Sequence, residues 1–177
     1  MNKFLIICLS VFTFNFAHAG LLIEPYAGMH LNSSFDNEGS DGDISGTSMG
    51  ARLGYSMVGF MAGLNYKTGS LEFDYSDDSA TDIDADVSHY GVFVGYNFPI
   101  LFRVWGEIVV GGSAEVEDGG TFEKVSGTQF GIGYSLLPLV SLNLEIGNLE
   151  YDDFDGTGDA TVDVDTFFLS ISIPFNI

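Results

Sequence analysis

Basic residues are scarce in this sequence. Five Lys and Arg face 25 Asp and Glu in 177 residues, a formal charge of −20. So anionic a chain cannot supply the phosphate-neutralising contacts that nucleic-acid binding needs, so no nucleic-acid partner is expected. Cysteine is nearly absent. The one thiol, Cys8, lies in the first apolar run, so the rest of the chain has no disulfide framework and no thiol nucleophile. After that run no segment reaches the roughly 18 consecutive apolar residues of a transmembrane helix. Proline is rare, at 4 residues, which leaves long uninterrupted segments.

Glycine (23), phenylalanine (16) and tyrosine (8) are abundant, and mean hydropathy is +0.24 despite the charge. A strongly acidic soluble chain usually has low hydropathy, so acids and apolar residues must be segregated here. The start, Met1-Asn2-Lys3, is basic. Phe4 to Phe14 is apolar except for Ser10 and Thr13, and Ala17-His18-Ala19 is a small-x-small cleavage pattern before Gly20. This reads as a cleaved secretory signal peptide over residues 1–19, too short for a retained helical anchor, with one domain over residues 20–177. Cys8 is not at the cleavage site, so lipidation is not indicated.

The domain alternates apolar and polar residues with a period of two, the strand period. Eight ribbons follow: residues 22–31, 47–57, 60–67 (running on towards Phe73), 88–98, 102–111, 126–136, 140–149 and 165–177. In the last, Phe167, Leu169, Ile171, Ile173, Phe175 and Ile177 share one face, while Phe168, Ser170 and Ser172 share the other. Such an apolar edge strand would aggregate unless it paired within the sheet and met lipid. Its expected partner is the 22–31 ribbon. Connections alternate long and short. This pattern predicts an all-β fold, an eight-stranded antiparallel up-and-down transmembrane β-barrel with short periplasmic turns and four long acidic outer loops. Soluble lipocalin-like barrels invert it, with apolar residues inside.

The strand texture Tyr26-Ala-Gly, Arg52-Leu-Gly-Tyr55, Val94-Gly-Tyr96 and Gly131-Ile-Gly-Tyr134 resembles the small eight-stranded bacterial outer-membrane barrels, the family that includes the OmpA transmembrane domain and OmpX. The resemblance covers residues 20–177. It implies a Gram-negative outer membrane, contact with its lipid and lipopolysaccharide, insertion by the barrel assembly machinery, and a monomer. Two features depart from the family. Its last residue is usually aromatic, whereas here Ile177 is last and Phe175 lies two before it. No peptidoglycan-binding domain follows the barrel, so a wall tether is not implied.

Of the 25 acids, 22 fall in or beside the four long connections, within residues 36–43, 72–86, 115–123 and 150–165. The other three, Glu24, Glu107 and Glu145, have inward parity, as do Arg52, Lys67 and Arg103. Lys124 falls in a loop. The six inward charges balance and are expected to form a lumen network, with Arg52, Glu107 and Glu145 as one cluster near mid-height. An eight-stranded lumen is just wide enough for side chains to fill it, so the network would plug it; a narrow ion path is the alternative. Glu107 and Glu145 could form an acid/base pair, but neither has a nucleophile beside it. Lipid-A deacylases of this size carry His-x-Ser, which neither His30 with Ser33 nor His89 with Ser88 matches. No catalytic residue and no cofactor are expected. Oxygen ligands around glycines at Asp36, Asp41, Asp43, Asp153, Asp155 and Asp159 make weak calcium candidates, and loose divalent bridging to lipopolysaccharide phosphates fits the same acids. The expected role is non-catalytic, in envelope structure, surface properties or adhesion. A narrow channel is second and a lipid-A-modifying enzyme third.

Overall fold

The computed structural model describes residues 20–37, 40–75, 83–117, 119–137, 139–155 and 161–177. The signal-peptide reading and Asp159 fall outside these residues. The elements are β1 (Gly20–Asn37), β2 (Ser40–Met57), β3 (Phe60–Tyr75), β4 (Ile83–Asn97), β5 (Phe102–Val116), β6 (Thr121–Leu137), β7 (Val140–Phe154), β8 (Val162–Ser172) and β9 (Phe175–Asn176). Each strand pairs antiparallel with the next, and β1 pairs with both β8 and β2, so the sheet closes on itself. β9 continues β8 beyond Pro174 and also pairs with β1, so the nine segments form eight staves. Proline cannot donate to a ladder, which accounts for the break. The ladder resumes with mutual backbone bonds between Leu21 and Ile177, at 2.9 and 3.0 Å. The closing strand thus has the partner expected for it, and closure leaves no free edge.

One set of chain reversals is tight. Val58 and Gly59 turn β2 into β3 with φ of 53° and 86°. Positive φ at both positions marks the type I′ turn that matches strand twist. Residues at these reversals are apolar and exposed, among them Val58, Ile100, Leu101 and Leu139. Above them the outer wall is an apolar belt that includes Leu53, Leu64, Val94, Ile108, Phe130 and Ile171. This is the surface a membrane barrel turns to lipid.

The strands run well past that belt, and here the structure corrects the sequence reading. The four long acidic outer loops are in large part strand: β1 continues to Asn37, β2 starts at Ser40, and β3 and β4 pair from Phe60↔Tyr96 up to Phe73↔Ile83. The acids lie mainly on the outward face of these extensions. On β3 the outward series Leu64, Tyr66 gives way to Ser70, Glu72 and Asp74, while the inward series Asn65, Lys67 gives way to Leu71 and Phe73. β4 changes likewise, to outward Asp84 and Asp86 over inward Ala85 and Val87. The barrel therefore has two storeys of opposite polarity. The lower is apolar outside, and inside it holds the buried charges and amides together with a small apolar cluster of Leu22, Met61, Phe93 and Trp105. The upper is polar outside and apolar inside, as in a water-soluble barrel.

Irregularities mark the boundary. β1 gains one residue against β2 between His30 and Ser33 and against β8 between His30 and Ser34, and β5 gains one, Val110, where Tyr90 pairs with Gly111 and Gly91 with Val109. Each bulge re-phases its strand, because an extra residue exchanges the two faces beyond it. Phe35 and Ala114 therefore point inward.

Candidate functional site

Among the described residues the buried charges lie in the lower storey. Glu24, Arg52, Lys67, Arg103, Glu107 and Glu145 come from β1, β2, β3, β5 and β7, and all are buried. Inward parity places them, since successive strands in register bring these positions to similar heights. Glu24 and Arg52 are direct cross-strand partners, whereas Glu107 lies opposite Gln129 and Glu145 opposite Gly131.

The charges alternate along a chain of contacts. Arg103 donates from both terminal nitrogens to the Glu24 carboxylate, the longer bond being 2.8 Å. Arg52 donates to Glu24 at 3.3 Å and to Glu145 at 2.5 Å. Lys67 closes the series on the other Glu145 oxygen at 3.0 Å and also reaches the Gln129 side-chain oxygen at 3.3 Å. The order is Arg103, Glu24, Arg52, Glu145, Lys67, so every acid lies between two cations.

Glu107 is placed differently from the cluster expected for it with Arg52 and Glu145. Its two oxygens accept from the Asn65 amide at 2.9 and 2.8 Å, and among the described residues it makes no ion pair. Asn65 in turn accepts from the Tyr26 hydroxyl at 3.0 Å. In the strand order Asn65 on β3 stands between Arg52 on β2, its cross-strand partner, and Glu107 on β5, and its amide engages both carboxylate oxygens.

Aromatic rings fill the space between the charges. The Arg52 guanidinium lies 4.6 Å from the Tyr26 ring centre and 4.5 Å from that of Trp105, while Lys67 Nζ lies 4.4 Å from the ring of Phe168. Cation–π attraction strengthens as water is excluded, so these rings stabilise cations that a bare apolar wall would penalise. Two of the rings need glycine opposite them. Tyr26 pairs with Gly50 and Trp105 with Gly131, and a methyl at either glycine would meet the ring. On the β8 side, Ser172 stands opposite Tyr26, a small residue beside a large one.

The sequence reading did not assign Asn65, Gln129, Asn143, Trp105 or Phe168 to the charged layer. Asn143 accepts from Arg103 at 3.0 Å and donates to Ser172 at 2.9 Å. Their signal was available: each has inward parity at the height of the charges.

The histidines sit between the storeys. His30 Nε2 lies 3.1 Å from Ser48 Oγ, and Ser33 instead bonds the backbone of Phe167. His30 Nδ1 and both His89 nitrogens have no hydrogen-bond partner among the described residues, so no carboxylate orients either imidazole. A serine needs an oriented base to become a nucleophile, and among the described residues no group orients this pair.

The calcium candidates within the described residues fall on two hairpins, β1–β2 and the upper end of β7. Asp36 and Asp41 are opposite each other across the β1–β2 hairpin, and Asp43 is opposite Ser34. Asp153 pairs with Lys124 at 2.6 Å, and Asp155 accepts from the Thr121 backbone N–H at 2.9 Å. Among the described residues no group of three or more His, Cys, Asp or Glu side chains could hold a metal ion. The Lys124 amine is held above its usual range by its hydrogen bond to Asp153.

The fold has solved counterparts. Neisserial surface protein A superposes with a TM-score of 0.57 at 12% identity, covering 88% of this chain and 97% of that one. Ail, the attachment invasion locus protein of Yersinia pestis, solved in complex with the heparin analogue sucrose octasulfate, superposes with a TM-score of 0.53 at 16% identity, covering 88% and 99%. At these identities the likeness is one of fold. Comparison with curated protein sequences gave no match. The family model for the outer membrane protein beta-barrel domain matches residues 4–175. A closed antiparallel barrel, its apolar belt and that match together place this chain in the outer membrane protein beta-barrel domain family.

Proposed function

We propose that this protein is a non-catalytic barrel, closed across its lumen by the charged layer, that presents an anionic upper storey at the cell surface. Its role on this reading lies in envelope structure, surface properties or adhesion. The observation that carries it is the alternating series of five buried, paired charges, with Glu107 hydrogen-bonded to Asn65 beside them and aromatic rings between. A lone buried charge is costly, whereas a paired, hydrogen-bonded layer can persist as a plug. The test is conductance in planar bilayers. A plugged barrel gives no steady current. A steady current altered in Glu107→Gln would overturn the reading.

The second reading is a narrow ion path. It is favoured by recesses at both ends: one of about 390 Å³ at the turn end, reaching Arg103, and one of about 320 Å³ in the upper storey. Only the charged layer and its neighbours separate them. A lipid-modifying activity has less support, given the unoriented His30–Ser48 pair. Lipid A should have the same mass with and without expression of the protein.

The upper storey's charge also bears on adhesion. Ail was solved with a polyanion. This chain's exposed upper acids, such as Glu72, Asp84 and Glu117, would repel one, so its surface partners would be cationic or bridged by divalent ions. Residues 1–19 would be removed on export. Lipopolysaccharide and lipid would surround a monomer inserted by the barrel assembly machinery.

A further inference from the structure

The upper storey encloses a recess that the charged layer does not use. Its volume is about 320 Å³, and its walls come from β1 and β3 through β8, with Phe35, Phe73, Ala114, Phe122, Tyr151 and Val164 among the lining residues. Its floor is a tightly buried apolar cluster that includes Ile44, Leu71, Val125 and Leu149. The Tyr151 phenol is the polar group in this lining, and burial pushes it above its usual range. The recess shares no lining residue with the charged layer beneath it.

A plug needs no such space. Interiors close-pack unless a void is kept open, and on the function proposed above the polar layer below already closes the lumen. Volume and lining match sites that take one small apolar molecule, which begin at about 300 Å³. The setting matches as well: an eight-stranded barrel, apolar inside and polar outside, has the width to hold one small ligand.

The rim indicates the head group. Exposed Asp84, Glu115, Glu117, Asp155 and Asp163 stand around the upper ends of β4, β5, β7 and β8. Lys124 is committed to Asp153. At the mouth Phe122 and Phe154 have ring centres 5.0 Å apart, next to the Asp155 carboxylate. Aromatic faces beside carboxylates suit an alkylammonium and repel a carboxylate or sulfate.

We infer that the upper chamber binds a small cationic amphiphile, its apolar body inside the barrel and its ammonium at the acidic rim. The test uses the folded protein in lipid nanodiscs with methyl labels on Ala, Ile and Val, titrated with hexyltrimethylammonium, hexanol and hexanoate. Saturable shifts are expected at Ala85, Ala114, Val116 and Val164, with the ammonium binding about tenfold or more tighter than the carboxylate. Ala114→Phe fills the chamber and should abolish the saturable shifts. Val164→Phe, on the opposite wall, serves if the first variant does not fold. Glu117→Gln with Asp155→Asn should narrow the preference for the cation. Three results would overturn the inference: non-saturating shifts equal to those of lipid-facing Val94 and Ile108, hexanoate binding as tightly as the ammonium, or unchanged binding in a folded filled variant.

Discussion

Glu145→Gln removes the carboxylate that holds Arg52 and Lys67 together while keeping its shape. Glu145 accepts from Lys67 at 3.0 Å and from Arg52 at 2.5 Å, and all three side chains are buried. At the Lys67 distance of 3.0 Å, an effective dielectric of about 20 gives roughly 5–6 kcal/mol of gross attraction. Desolvation offsets much of that. Removing one member of a buried pair nevertheless costs about 3–5 kcal/mol, because the partner remains buried and uncompensated. Here two cations lose a shared partner. Lys67 keeps the Gln129 oxygen and the Phe168 and Tyr26 rings but no carboxylate, and one end of the new amide carries N–H donors that face a cation. We expect a loss of about 3–5 kcal/mol. Urea unfolding from phospholipid vesicles can be followed through Trp105, the chain's single tryptophan, which packs 4.5 Å from the Arg52 guanidinium. Lys67→Met combined with Glu145→Gln leaves the lumen neutral, with two acids and two bases, and should recover most of the loss. A single variant within about 1 kcal/mol of the parent, or a double variant worse than the single, would refute the reasoning.

Gly131→Ala should lower the folded yield and destabilise by about 1–3 kcal/mol, because the methyl would enter the Trp105 indole; Trp105→Phe should rescue it, and an unaffected single variant would mean the ring lies elsewhere. A hydrogen bond with Asp152 and repulsion from it hold the Glu150 carboxyl above its usual value. A carboxyl raised in the folded state adds stability that is fully present below the ordinary glutamate range and is lost as pH rises through the folded value. Amide exchange in the upper β7–β8 hairpin, corrected for intrinsic rates, should therefore slow on acidification, and Glu150→Gln should flatten that dependence. Calcium and magnesium should shift upper-storey amides weakly and alike; saturation by calcium alone, centred on Asp36, Asp41 and Asp43, would instead mean a specific site. Protein recovered from outer membranes should start at Gly20, and a start at Met1 would disprove leader removal.

How much could be read in advance depended on whether a strand kept its phase. In the apolar belt the two-residue period is unbroken, so the count of staves and the inward parity of Glu24, Arg52 and Lys67 followed from it. The period breaks at Leu31 and Asn32 in β1 and near Val110 in β5, where one extra residue exchanges the faces. There an inward Phe35 among polar neighbours looks like disorder in the pattern, and the glycines and acids around it read as loop. β2, β3, β4 and β8 keep phase but exchange polarity, so Ile44, Leu71 and Val87 were lost among acids although they remain on the inward face. The partner of Glu107 was not legible because parity gives height and side, not which of two neighbours a side chain reaches.

The reversal of polarity also fixes the depth at which the barrel floats. If the molecule shifted towards its tight-turn end, the acids just above the belt, Glu72, Asp86 and Asp165, would enter the lipid while Val58, Ile100 and Leu139 met water. If it rose, Tyr66 and Tyr90 would leave the interface, and the bare backbone of the tight turns would be drawn into hydrocarbon, where unpaired amides are costly. Displacement either way is opposed on every stave at once. The barrel thus carries its own waterline, and its upper chamber is held in the aqueous phase.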